Sequence, residues 1–202
     1  MVTIIIDFET SGLNPYHDDI IEIGAKVLNK DETFQCLVKP KSNKLISARI
    51  TEITGITNRT LRNKGLHWQN AYTEFYNWLL SNLVLDDKNA IVAHNGTTFD
   101  FIFLNRLMND LKEFENILKF EECKIYYIDT LQLSRKILPK RTYYSQPSLC
   151  KSFNIEIIDA HRALGDVLCL EQIYTCLCKE INLLLLEDVF NYLHFVPKSI
   201  KV

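Results

Sequence analysis

The segment VTIIIDFET at residues 2 to 10 constrains the fold more than any other stretch of the chain. Val2 to Ile6 form a β-branched, largely apolar run without alternation, which belongs in a central strand buried on both faces. Neighbouring segments supply what such a strand needs around it. Ile20–Leu28 and Thr33–Val38 are strand candidates separated by the polar turn NKDE at 29–32, so the first three strands form a meander. Apolar residues at Ala71, Phe75, Trp78 and Leu79 make Trp68–Leu80 a helix. Ala90–Ala93 and Tyr126–Ile128 read as short strands and Phe101–Leu111 as a helix. Ala163–Cys178 reads as a long amphipathic helix with Leu164, Val167, Leu168, Tyr174 and Leu177 on one face. The expected class is α/β, a mixed five-stranded sheet flanked by helices. At 202 residues and 47% hydrophobic, the chain can bury a substantial core. No repeat, low-complexity tract or Gly/Ser/Pro linker divides it, so a single domain over 1–202 is expected.

Four acids punctuate this scaffold. Asp7 and Glu9 stand two residues apart at the end of the first strand, so both carboxylates leave it on the same face. Asp100 lies where the fourth strand has ended and a helix begins, and Asp166 opens the last helix. Ligands of α/β sheets gather at the carboxyl ends of strands, where three of these acids meet if strands one and four are neighbours. Carboxylates so placed repel one another, and burial is tolerable only if they share protons or hold cations. An all-oxygen set suits Mg²⁺ or Mn²⁺ rather than zinc. Singly, each has a plainer reading: Asp7 and Glu9 end a strand, Thr97 and Asp100 match the capping pattern S/T-x-x-D/E, and Asp166 complements a helix N-terminus. Those separate readings do not account for the joint occurrence.

The formal net charge of −2 counts against a strongly basic nucleic-acid-binding module. It permits an enzyme that meets nucleic acid through divalent cations, because clustered carboxylates lower the net charge while bound metal restores a positive field. The six cysteines (Cys36, Cys123, Cys150, Cys169, Cys176, Cys178) show no zinc-ribbon spacing and read as reduced, mostly buried thiols. Leu183–Leu186, the longest apolar run near the C-terminus, is too short to cross a bilayer, and the N-terminal segment lacks a basic leader. An intracellular protein without membrane association is expected.

Three stretches carry a family resemblance: DFETSGL at 7–13, HNGTTFDFIFL at 94–104 and HRALGD at 161–166. In that order the chain resembles the DnaQ-like DEDDh 3′ to 5′ exonucleases, with features of polymerase proofreading domains and of TREX-type enzymes. DDIIEIGAKV at 18–27, ITEITGIT at 50–57 and DTLQLSR at 129–135 agree, so the likeness covers roughly 1–180 and leaves 181–202 as a C-terminal helical extension. One departure is Thr54, where many proofreaders carry His.

The resemblance implies an RNase H-like fold and two Mg²⁺ ions, with Mn²⁺ able to substitute, held by Asp7, Glu9, Asp100 and Asp166. Two such ions about 4 Å apart serve to activate a water and to stabilise the leaving 3′ oxygen. His161 would be the general base, a task suited to a side chain that titrates near neutrality. The sister class with a tyrosine base carries Tyr four positions before its last Asp, and Arg162 stands there instead. The implied substrate is nucleic acid with a free 3′ end, single-stranded or frayed DNA, with a polymerase or replication partner. A 3′ to 5′ exoribonuclease is the alternative, since ribose and deoxyribose differ at one hydroxyl. A non-catalytic binding module of the same fold would have lost one of the five catalytic groups, and all five are present. For substrate contact the resemblance singles out Thr10 and Ser11 as donors to the terminal nucleotide, Ile53 and Thr54 against its base or sugar, His94 and Asn95, and Phe99 as a stacking side chain. Phe99 also suits a core role, and His94 a strand-to-helix turn. Arg135, Lys136, Lys140 and Arg141, interleaved with Tyr143 and Tyr144, either track a phosphate backbone or form a solvated face.

Overall fold

Alternation along the first strand decides how the layers assemble. In β1 (Val2–Thr10), Ile4, Ile6 and Phe8 enter one apolar cluster while Ile5 enters another on the opposite face. Ile4, Ile5 and Ile6 are fully buried, each worth about 2–3 kcal/mol in transferred apolar surface. The computed structural model describes residues 2–85, 87–114, 120, 122–157 and 161–180. The expected 181–202 extension lies outside the described residues.

β2 (Ile20–Val27) and β3 (Thr33–Leu37) continue the antiparallel meander, and β4 (Lys88–Ala93) and β5 (Lys124–Asp129) add to β1 in parallel. The mixed five-stranded sheet has the order β3-β2-β1-β4-β5. One face packs on α3 (Trp68–Asn82) and α4 (Asp100–Lys112) through Phe75, Leu79, Phe101 and Leu104. The other packs on α5 (Thr130–Ile137), α6 (Gln146–Phe153) and α7 (Ala163–Glu180) through Leu133, Leu149, Val167 and Leu170. Two short helices, α1 (Ala48–Thr54) and α2 (Asn58–Lys64), stand beside a small cluster around Ile21 and Ile56.

β1 runs on to Thr10, past the apolar run, because β2 pairs with the acidic end: Asp7 lies opposite Gly24 and Glu9 opposite Glu22. The short helices α1, α2, α5 and α6 were not anticipated as helices. Seven or eight residues give too few apolar turns for a clear period, and their caps hold them instead. Ser47, Thr57, Asp129 and Ser145 each accept a backbone N–H of the following turn. Thr97 does not cap α4. Phe99 occupies the cap position without a side-chain bond, and Asp100 turns toward β1. All six thiols are free, with Cys123, Cys150 and Cys169 buried. Among the described residues no helix is long and apolar enough to cross a membrane.

Candidate active site

Asp7 and Glu9 leave β1 on the Ile5 face, toward α7. Asp166, in the first turn of α7, meets them there: each of the three offers a carboxylate oxygen within 4.8 Å of the others. They line a cleft of about 250 Å³ together with Phe8, Gln146, Pro147, Cys150, Ile157, His161 and Cys169. Asp100 arrives from the other layer. Pairing of β1 with β4 stops at Ile5 and Val92, and beyond that point the Phe8 N–H donates to Asp100 Oδ1 at 3.2 Å. Strand splay therefore lets the α4 acid reach the end of β1.

Close approach of α7 depends on Gly24. A Cβ at that position would lie 2.4 Å from the Ala163 carbonyl carbon, so a side chain there would push the Asp166 turn away. His161 precedes the helix, exposed, with a left-handed backbone (φ 61°) uncommon for a residue with a side chain. Its backbone N–H donates to the Asp166 carboxylate. The loop-to-helix junction thus fixes the acid through the main chain and leaves the imidazole on the open side.

Electrostatics of the cluster follow from burial and mutual repulsion. Burial, then the charges of Asp100, Asp166, Glu9 and Glu22, push Asp7 well above the usual carboxylate range. Burial and the charges of Asp166 and Glu22 raise Glu9 to about 7, against the lowering influence of Arg162. Burial raises Asp100 to about 7 although the Phe8 N–H favours its charged form. Asp166 is raised by burial and opposed by His161. Folded carboxylates with raised pKa hold protons that the unfolded chain has released. Stability of chelated protein therefore falls as pH rises from about 4 to about 7. Chemical denaturation in chelator should show Asp7→Asn drawing ahead of the parent in stability as pH rises from about 4 to 7.5. Equal stability of the two proteins at pH 7.5 would contradict this repulsion.

Local contacts engage several of the remaining anticipated contact residues. The Ser11 N–H, an anticipated donor, is spent on the Asp19 carbonyl at 2.8 Å, and the Thr10 hydroxyl donates to Gly12 O at 2.6 Å. Ser11 Oγ accepts from the Asp19 N–H. Ile53 is exposed at the end of α1, whereas Thr54 is buried, donating to Ile50 O and accepting from the Ile56 N–H. Phe99 is half-buried edge-on to Phe103, 5.1 Å between ring centres, and packs on the α3/α4 core. Asn95, exposed and left-handed, accepts from Thr98 Oγ1 through its side chain. His94 Nδ1 lies 2.9 Å from Thr130 Oγ1, and burial lowers its pKa.

Several residues were not singled out in the sequence. Asp129, at the start of DTLQLSR, caps α5 and also accepts the N–H groups of Asn95 and Thr97, so it holds the loop that delivers Asp100. Its capping signature was available in the sequence. Glu22, fully buried in the apolar IIEIGA segment, pairs with Arg162. An acid inside an otherwise apolar strand is itself a signal of a partnered buried charge. Gln146, Pro147 and Cys150 of α6, Ile157 beyond it and Cys169 of α7 also line the cleft, a tertiary meeting that no local pattern announces. Of the basic stretch, Arg135 and Lys136 end α5, and Arg141 Nη2 donates to Ser148 O at 3.1 Å. No Asp or Glu occurs between Asp129 and Glu156.

A mixed sheet in this order, with carboxylates from β1, α4 and α7 converging at its strand ends, has the RNase H-like arrangement of exonucleases. The family model RNase_T, described as Exonuclease, matches residues 4–174, and the chain belongs to this exonuclease family. It is 33% identical over 194 residues to DNA polymerase III PolC-type of Thermotoga petrophila, covering 93% of this chain and 13% of that protein. With the PolC-type polymerase of Bacillus subtilis it shares 32% over 169 residues, 81% of this chain and 10% of that one. The chain thus spans about a tenth of the length of these relatives. Among solved structures, E. coli exonuclease I in complex with a dT13 oligonucleotide superposes with a TM-score of 0.74 at 20% identity, over 95% of this chain and 43% of that one. The zinc-bound form of the E. coli exonuclease I–single-stranded DNA complex gives 0.74 at 22% identity, over 94% and 43%.

Proposed function

We propose that the chain is a metal-dependent 3′ to 5′ exonuclease that releases nucleoside monophosphates from DNA, its described core acting as one exonuclease domain. The observation that carries this reading is the convergence of Asp7, Glu9 and Asp166 within 4.8 Å in a cleft that also contains His161. The donor set is all oxygen, and its raised pKa values express a demand for positive charge, which fits hard divalent cations. Mg²⁺, or Mn²⁺ in its place, held as a pair by these three acids and Asp100, would supply the Lewis acidity that phosphodiester hydrolysis needs.

The protein's own groups do the rest. His161 takes the proton of the attacking water, its ring on the open side of the loop and its backbone tied to Asp166. Asp129 and the Phe8 N–H fix Asp100. The terminal nucleotide lies along Thr10 and Ser11, with Ile53 against its base or sugar and Thr54 buried behind it, Phe99 beside the last bases, and His94 and Asn95 shaping the loop before Asp100. The strand then passes the basic face of the acid-free segment 130–155, with Arg135, Lys136, Lys140 and Arg141. Lys140→Ala should reduce the slope of log affinity against log salt by about 0.7, the loss of one single-strand phosphate contact. An unchanged slope would leave that face merely solvated.

DNA is favoured over RNA by the names of the relatives, DNA polymerases of the PolC type, and by the oligonucleotide complexes of the structural neighbours. The same relatives favour an intracellular setting beside a polymerase. The deciding experiment compares degradation of matched, 5′-labelled DNA and RNA strands by the purified protein. Faster shortening of the DNA strand is expected. A preference for RNA would make the enzyme an exoribonuclease.

A further inference from the structure

We propose that Glu22 is a positioning residue that holds the Arg162 guanidinium out of the cation site formed by Asp7, Glu9 and Asp166. The inference rests on the metal-dependent reading above and names the residue that keeps the site open to metal.

Glu22 is 0% exposed, on the β2 face turned toward α7, and lies directly across the strand pair from Glu9. A fifth acid beside four others deepens their repulsion, so its presence needs a reason. The hydrogen bonds supply one. Arg162 Nε donates to Glu22 Oε2 at 3.1 Å and Nη2 to Oε1 at 2.6 Å, a two-pronged grip on one edge of the guanidinium. The Ala163 N–H donates to Oε2 at 3.1 Å and Gln35 Nε2 to Oε1 at 3.0 Å, so four donors fix the carboxylate in one orientation.

Arg162 is the permanent cation nearest in sequence to the site, between His161 and the helix that carries Asp166. Its side chain is 42% exposed, on the open edge of the structure. A guanidinium matches a carboxylate geometrically and does not lose its charge at any accessible pH. Released from Glu22, it has Glu9 as the next acid across the strand pair, and a guanidinium there would neutralise the cluster and compete with metal. Glu22 thus uses a negative charge outside the ligand set to keep the ligand set negative. A purely structural role, tying the α7 N-terminus to β2, would give the same contacts but a different response to removing both partners.

Mn²⁺ binding to the metal-free full chain, followed by isothermal titration calorimetry, separates the two. Glu22→Gln keeps the shape and removes the charge, and should weaken Mn²⁺ binding by at least about tenfold. Glu22→Gln/Arg162→Ala should recover affinity to within about threefold of the parent, because the competitor is gone. Thermal melts by circular dichroism check that each protein folds. If Glu22→Gln does not melt cooperatively, Glu22→Asp, which shortens the reach, takes its place with the same expected order. Parental affinity in the single variant, or a double variant as weak as the single, would overturn the proposal. A parent that binds no Mn²⁺ would instead remove the metal-dependent reading beneath it, and that failure shows in the parent's own titration.

Discussion

Asp7→Ala and Asp166→Ala are each expected to lower nucleotide release by at least about a thousandfold while leaving the chelated protein at least as stable as the parent. The two effects share one cause. Asp7 is held against its preference by burial and by the charges of Asp100, Asp166, Glu9 and Glu22. Deleting a carboxylate relieves that repulsion in chelated protein and removes a ligand oxygen from the group within 4.8 Å. A residue that merely terminated a strand or capped a helix would behave differently. Loss of a cap costs about 1 kcal/mol and leaves catalysis intact. Single-turnover hydrolysis of a DNA strand, paired with melts in chelator, gives both quantities. Retained activity, or a large drop in stability without loss of activity, would return these acids to structural roles.

His161 replaced by Ala should slow the chemical step by on the order of a hundredfold or more while Mn²⁺ affinity stays near the parent's. The structure explains why base and ligand separate cleanly here. Asp166 is held by the His161 backbone N–H, which survives any substitution but proline. The left-handed φ of 61° disfavours Ala, so His161→Asn is the better control, since Asn tolerates that conformation and cannot replace the imidazole as a base. Both variants should be slow in single turnover with saturating Mg²⁺. If either hydrolyses as fast as the parent, His161 is a loop histidine and the base lies elsewhere.

Legibility of the fold from sequence tracked the length of its periodic segments. The run Val2–Ile6 and the helices at 68–82, 100–112 and 163–180 carry enough apolar repeats to announce themselves. The short helices at 48–54, 58–64, 130–137 and 146–153 do not, although the cap before each is visible in hindsight as Ser47, Thr57, Asp129 and Ser145. For the site, spacing alone put Asp7 and Glu9 on one face, because i and i+2 in a strand share a side. Joining Asp100 to them required the splay of β1 from β4 beyond Ile5, a tertiary event with no local signature. Glu22 and Arg162 are 140 residues apart and meet only through strand pairing and the close approach at Gly24. Thr54 is buried in its own turn, and Phe99 packs on Phe103 as its alternative core role anticipated.

A single-stranded DNA oligonucleotide labelled at its 5′ end, incubated with excess enzyme in Mg²⁺ and in excess chelator, tests the central claim most directly. In Mg²⁺ the account predicts a ladder that shortens one nucleotide at a time from the 3′ end, and in chelator an intact strand. Hydrolysis that persists in chelator would contradict the role assigned to Asp7, Glu9, Asp100 and Asp166. Label released first as a mononucleotide would contradict the 3′ to 5′ direction.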